Sequence, residues 1–324
     1  MKVFDSRNGK ALIKYGVILN DINIDTETSL DLGDWIMATA TKEEISEFRP
    51  MIWKFILPNS IGPRQEMKID FGGQRMEALS EIDDFRYLVI RPKQAGNLDS
   101  DADLFAQACR ISDADIWIGF YAFEHIGGFS FSFEKNVAFF SKPISFDPPK
   151  SINLDHLVQV IEYRKALPGK KFPEIDGAIK MFIDQDTIQD TSPLKHLGYF
   201  SIIESLLSHK PAPSDSADSI TRQLKRNLLL LENRMSEPYN LMLNQFNGCK
   251  ADKVITQLYD YRSRVAHAEP VEVTLKWLFD NRPEHVENVE FATPRTWIGW
   301  YLRKLTQRVL VHALKEPRLV MDLK

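Results

Sequence analysis

The stretch "LYDYRSRVAHAEP", residues 258–270, gathers Arg262, Ser263, Arg264 and His267 within six residues. Histidine exchanges a proton near neutrality, which suits His267 to general acid–base work. Arginine keeps its charge and presents a planar fork of donors, which suits Arg262 to a transition state that gathers negative charge. Five residues along a helix turn through about 140°, so the two side chains do not stack on one line, but they can flank one groove. A plainer reading of the same residues makes Arg262 an ion-pair partner of Glu204. It leaves His267 resting against the negative end of a helix dipole, ahead of a stop at Pro270. Tyr259 and Tyr261 read as packing residues. An R-x4-H pair is common by chance, so the surrounding elements must discriminate.

Those elements are helices. From residue 151 onward apolar residues recur at the 3.6 period in "LDHLVQVIEYRKAL", "EIDGAIKMFIDQDTI", "SPLKHLGYFSIIESLLSH", "SADSITRQLKRNLLLLENRM", "ADKVITQLYDYRSRVAHA" and "TPRTWIGWYLRKLTQRVLVHALK". Breakers separate them at Pro168 and Pro173, Ser192–Pro193, "KPAPSDSADS", Pro238 with "FNGCK", and Pro270. In the fourth helix Ile220, Leu224, Leu228 and Leu231 form an apolar stripe, with Arg222, Lys225 and Arg226 off it. The first 150 residues instead alternate short apolar runs with turn signals, such as "GVILNDINI", "FRPMIWKFILPNSIGP", "FRYLVIRP" and "GGFSFSFEKNVAFF". Phe129, Phe131 and Phe133 alternate with serines as in a half-buried strand, and "DADLFAQACRIS" is the best helix candidate. Pro148 and Pro149 end the β character. The expected fold class is α+β: a mostly-β N-terminal domain over 1–150 followed by an all-α helical bundle over 151–324.

Composition narrows the function classes. The 324 residues are 44% hydrophobic and 27% charged, the profile of a soluble globular protein. The N-terminus lacks an apolar leader core, and no stretch has the ~18 apolar residues of a membrane span. Cys109 and Cys249 have no partner spacing. A cytoplasmic protein away from membranes is expected. Residues 1–150 carry 17 basic against 23 acidic residues and residues 151–324 carry 24 against 22, a modest positive balance for the C-terminal half. Asp99, Asp101 and Asp103 start like a calcium loop, but Leu104 and Arg110 replace its glycine and glutamate, leaving a surface acidic turn. The glycine pairs at 72–73 and 127–128 read as turns, and Glu124–His125 lacks zinc-protease spacing. Neither a metal nor a cofactor is expected. Trp297, Trp300, Tyr301 and Leu305, with Arg295, Arg303, Lys304 and Arg308 nearby, could stack bases, but their helical period favours a core face.

"SIIESLL" at 201–207 followed by "LYDYRSRVAHA" at 258–268 resembles the ApeA-like branch of the HEPN superfamily, in which an "alE.LL" helix precedes a "lY..RS.ivHg" helix. The likeness spans roughly 150–320 and is densest over 199–268. It departs at Ala268, where the family often has glycine, which puts the usual left-handed helix cap in doubt. The resemblance implies a metal-independent endoribonuclease, with the RNA 2′-hydroxyl as nucleophile and a groove formed between two copies of the chain. It implies catalytic roles for Arg262 and His267, supporting roles for Ser263 and Glu204, and RNA contacts from Arg264, Arg222, Lys225 and Arg226. The associated biology is bacterial anti-phage defence or abortive infection, with tRNA or other cellular RNA as target. The alternative is a HEPN module that only binds or dimerises. No resemblance covers 1–150. That domain is expected to sense or restrain, meeting a phage-derived trigger or a protein partner, and its acidity suits covering a basic groove.

Overall fold

The computed structural model describes residues 12–18, 22–23, 29–55, 87–94, 99–114, 116–125, 128–133, 150–151, 153–167, 171–209, 219–235, 240–283 and 293–323. The chain divides into two compact units, Met1–Arg110 with Ala114–Ile161, and Ile111–Asp113 with Glu162–Lys324, so the division falls inside the helix Leu154–Ala166.

The first unit is built from β1 (Leu12–Ile18), β2 (Ile22–Asn23), β3 (Leu30–Leu32), β4 (Trp35–Thr39), α1 (Lys42–Phe55), β5 (Leu88–Pro92), α2 (Asp99–Ile111), β6 (Ile118–His125), β7 (Gly128–Phe133) and β8 (Lys150–Ser151). Six strands form an open antiparallel sheet in the order β3-β4-β5-β1-β6-β7, and β2 pairs with β8 in parallel. Central β1 passes so close to β6 that a Cβ on Gly16 would meet the Tyr121 ring at 2.9 Å. In the core the Trp35 ring stacks on Phe105, and Phe48 of α1 meets Tyr15, Tyr87 and Phe120 edge-on or nearly so.

Three expectations change here. The run at 48–55, grouped with the strand-like runs, is the second half of α1. Thr41 and Glu44 open that helix with a capping box: Thr41 Oγ1 accepts from the Glu44 amide at 3.2 Å, and Glu44 Oε2 from the Thr41 amide at 2.7 Å. Asp99, Asp101 and Asp103 lie within the first five residues of α2, in a helix rather than a turn, near the end where negative charge favours the helix dipole. After Pro149 the chain makes the two-residue strand β8 before turning helical. The segment 66–79 and residues 126–127 lie outside the described residues, so the turns expected at Gly72–Gly73 and Gly127 are not described. Gly128 pairs with His125 across the β6–β7 hairpin.

The second unit is the helical bundle. Its helices are α3 (Leu154–Ala166), shared across the division, α4 (Pro173–Asp184), α5 (Pro193–Leu207), α6 (Ile220–Arg234), α7 (Ala251–Ala266), α8 (Glu272–Asp280), α9 (Pro294–Lys315) and α10 (Pro317–Asp322). The chain is thus α+β, a β-rich region followed by an all-α bundle. Helix α5 is apolar nearly all round, the pattern of a buried helix, and it packs against α4, α6, α7 and α9. Trp297, Tyr301, Leu305 and Val309 are buried, with Trp297 stacked on Tyr301 and Phe246 edge-on to both, so this aromatic stripe is core. Arg303, beside that stripe, is buried in an ion pair with Asp186 at 2.7 Å. Among the described residues no helix is long and apolar enough to cross a membrane.

Candidate active site

The candidate residues sit on α7 and its two neighbours, α5 and α8. Helix α7 buries Val254, Ile255, Leu258, Tyr259 and Tyr261, so Arg262 falls at the edge of its apolar face, towards α5. There it meets Glu204. Arg262 Nε donates to Oε1 at 3.0 Å and Nη2 to Oε2 at 3.1 Å, a two-bond fork. With Arg262 35% and Glu204 18% exposed, solvent screening keeps this pair near the ~1 kcal/mol upper range of surface ion pairs. An anion of matching geometry can compete for such a guanidinium.

His267 follows the last helical residue, with φ −100° and ψ 8°, and is exposed. Its amide bonds to the Ser263 carbonyl at 3.0 Å; Ser263 itself is exposed. The next residue decides how the helix stops. Ala268 adopts φ 54°, its amide bonds to Val265 O, and the Glu269 amide reaches Arg264 O at 2.8 Å. Those two bonds make a complete Schellman cap. The left-handed cap therefore forms although alanine replaces glycine, and α7 ends four residues before Pro270, which is not its stop. Beyond Pro270 the chain enters α8, a helix too short for its period to stand out in the sequence.

Arg264 braces this corner. Its Nε donates to Asp260 Oδ2 at 2.8 Å and its Nη1 to the Pro270 carbonyl at 3.3 Å, while Thr274 of α8 donates to the same Asp260 oxygen at 2.5 Å. The bonds from Arg264 and Thr274 hold the Asp260 carboxyl below its usual range. The remaining basic candidates lie elsewhere. Lys225 pairs at 2.7 Å with Asp252 in the first turn of α7, ~20 Å along the helix from His267, while Arg222 and Arg226 are exposed on α6. The structure thus joins Glu204 to Arg262 and sets Arg264 beneath the His267 corner, but it does not bring the α6 cations to that end. Among the described residues, the His267 side chain makes no hydrogen bond or ion pair.

A buried polar network behind α7 escaped the sequence reading. Tyr261 approaches His196 Nδ1 of α5 at 2.7 Å, and His196 Nε2 faces the Asp190 carbonyl at 2.9 Å. A carbonyl only accepts, so Nε2 carries the hydrogen and Nδ1 accepts from the Tyr261 hydroxyl. Burial pushes the His196 imidazole below its ordinary value despite the opposing Asp190 bond. Gly299 of α9 leaves room for this: a Cβ there would lie 2.6 Å from Asp190 O and 3.0 Å from His196 Nε2. The signal was Lys195 and His196 standing inside an otherwise apolar helix. Glu232, one turn beyond Leu228 on the α6 stripe, is similar. It is buried and accepts from the Leu241 and Asn244 amides at 2.6 and 2.9 Å, stabilising the turn in which Met242 holds φ 60°.

Among the described residues no group of three or more His, Cys, Asp and Glu side chains could hold a metal ion. Compared with protein-family models, curated proteins and solved structures, the chain matches none.

Proposed function

We propose that the helical unit is a metal-independent endoribonuclease of the HEPN type. The observation that carries this reading is the pairing on one helix end of a partly exposed guanidinium, Arg262, with an exposed imidazole, His267, whose backbone is held by a capped corner. His267 takes the proton of an RNA 2′-hydroxyl, and the 2′-oxygen attacks phosphorus. The bond to the 5′-oxygen breaks, and that oxygen receives a proton, leaving a 2′,3′-cyclic phosphate and a 5′-hydroxyl. Arg262 stabilises the phosphorane oxygens. The second proton-transfer group is His267 of a second copy in a homodimer, with Ser263 as a polar helper. A substrate that supplies its own 2′-hydroxyl nucleophile is RNA and not DNA. The resemblance to ApeA-like HEPN domains suggests anti-phage defence or abortive infection, with the β-rich unit as the sensing or regulatory part.

One observation favours a second reading, a non-catalytic HEPN binding or dimerisation module: the Arg262 fork is already occupied by Glu204. The two readings separate in a cleavage assay on total tRNA and a labelled RNA in EDTA. Under the nuclease reading the wild type cuts, the products carry 2′,3′-cyclic phosphates, and Arg262→Ala and His267→Ala each lose roughly 100-fold or more. Cleavage that survives both substitutions, or products with 3′-hydroxyls, would sink it. A folded wild type that binds RNA through Arg262 without cutting it supports the binding module.

A further inference from the structure

Tyr259 lies one helical turn before Arg262 and is 8% exposed, yet its hydroxyl is inaccessible and has no hydrogen-bond partner among the described residues. A buried tyrosine hydroxyl ordinarily finds an acceptor, because stranding it costs as much as a lost hydrogen bond. The exception needs a physical reason. Its ring packs edge-on against Phe200 with centroids 5.6 Å apart, and Phe200 lies one turn before Glu204 on α5. Two turns of two helices therefore face each other, Phe200 and Glu204 against Tyr259 and Arg262. Glu204 and Arg262 are the charges that act on the Tyr259 hydroxyl, and burial with the nearby carboxylate keeps it protonated, a donor only in want of an acceptor. Each Glu204 oxygen accepts one bond of the Arg262 fork, and none from Tyr259.

We infer that Tyr259 is the stand-in donor for Glu204: when Arg262 turns its fork to a phosphodiester, the Glu204 carboxylate accepts the Tyr259 hydroxyl in its place. This rests on the reading of Arg262 as the phosphate-binding residue. A carboxylate and a phosphodiester present the same pair of oxygens to the fork, so Glu204 and RNA compete for one guanidinium. Without a replacement, the departing arginine would strand a largely buried carboxylate, and RNA binding would bear that cost. Glu204 thereby holds the site closed, and Tyr259 lets it open. Tyr259 is a positioning residue that acts through Glu204 and touches no substrate.

The test has two arms, both on the full chain. In the first, denaturant unfolding is measured for Tyr259→Phe, Arg262→Ala and the double variant. With Arg262 present, Tyr259→Phe removes a hydroxyl that bonds to nothing, and the unfolding midpoint stays level or rises. With Arg262→Ala, Glu204 has already taken the hydroxyl, and the same change lowers the midpoint. Equal effects in the two backgrounds would overturn the proposal. In the second arm, binding of a 2′-O-methyl oligonucleotide, which cannot be cleaved, is expected to tighten in Glu204→Gln and to weaken roughly tenfold in Tyr259→Phe. Equal binding by wild type and Arg262→Ala sinks the phosphate-binding reading itself. Arg262-dependent binding with Tyr259→Phe matching wild type overturns the stand-in donor alone.

Discussion

At the scale of single residues, Ala268 shows how a local cost can persist where neighbouring bonds outweigh it. A left-handed φ costs an L-residue with a Cβ roughly 1–2 kcal/mol, and glycine escapes that cost. The two cap bonds from Ala268 and Glu269, with Arg264 reaching the Pro270 carbonyl, hold the backbone there all the same. Ala268→Gly is therefore expected to raise unfolding free energy by about 1 kcal/mol, read as a higher urea midpoint at unchanged slope. A lower midpoint would mean that the alanine methyl contributes packing which outweighs its strain. Arg262, Glu204 and His267 were legible because their residue types and order stand out. The cap is not legible from residue 268 alone, because Val265 and Arg264, three and four positions earlier, supply the acceptors that decide it.

At the scale of elements, the long helices were legible and the short or interrupted ones were not. The stripe through Leu224, Leu228 and Leu231 is buried as its period requires, though Ile220 at the helix start remains 40% exposed. Helix α1 was hidden by Pro50 within its run, although the Thr41–Glu44 spacing announced its start. The contact of α5 with α7 includes polar groups that no period reveals, and pH tests them. His196 is surrounded by Tyr261 of α7, Lys195 of α5, the Asp190 carbonyl and side chain, and Arg295 of α9. Burial lowers its pKa, so the folded state binds a proton less readily than the unfolded chain. Stability is then complete above the ordinary histidine range and is lost as pH falls through it towards the lowered value. His312 of α9, buried beside Glu316, shifts the same way and adds to the slope. In His196→Gln, the fall in unfolding free energy between pH ~7 and ~5 should be shallower than in wild type. An unchanged slope would assign the dependence to His312 and other groups.

At the scale of the whole molecule, α+β organisation was legible because the apolar period changes from about two to 3.6 along the chain, a property that survives errors at individual elements. The division within α3 was not, since a continuous helix carries no break in pattern where one compact unit gives way to the next. If two copies contribute to one RNA site, inactive chains should complement each other. Mixing Arg262→Ala with His267→Ala, under conditions that exchange subunits, should restore a fraction of wild-type cleavage, because a mixed dimer retains one arginine and one histidine. No recovery, despite exchange shown by mass, would mean that one arginine and one histidine across the pair do not make a working site. The corner after α7 also bears on how the molecule meets solvent and proteases. Residues 266–270 are all surface-exposed, yet the amides of His267, Ala268 and Glu269 are each bonded to a carbonyl of α7. Deuterium should enter these three amides slowly for so exposed a segment, and a protease should find the corner a poor substrate until the last turn of α7 unwinds.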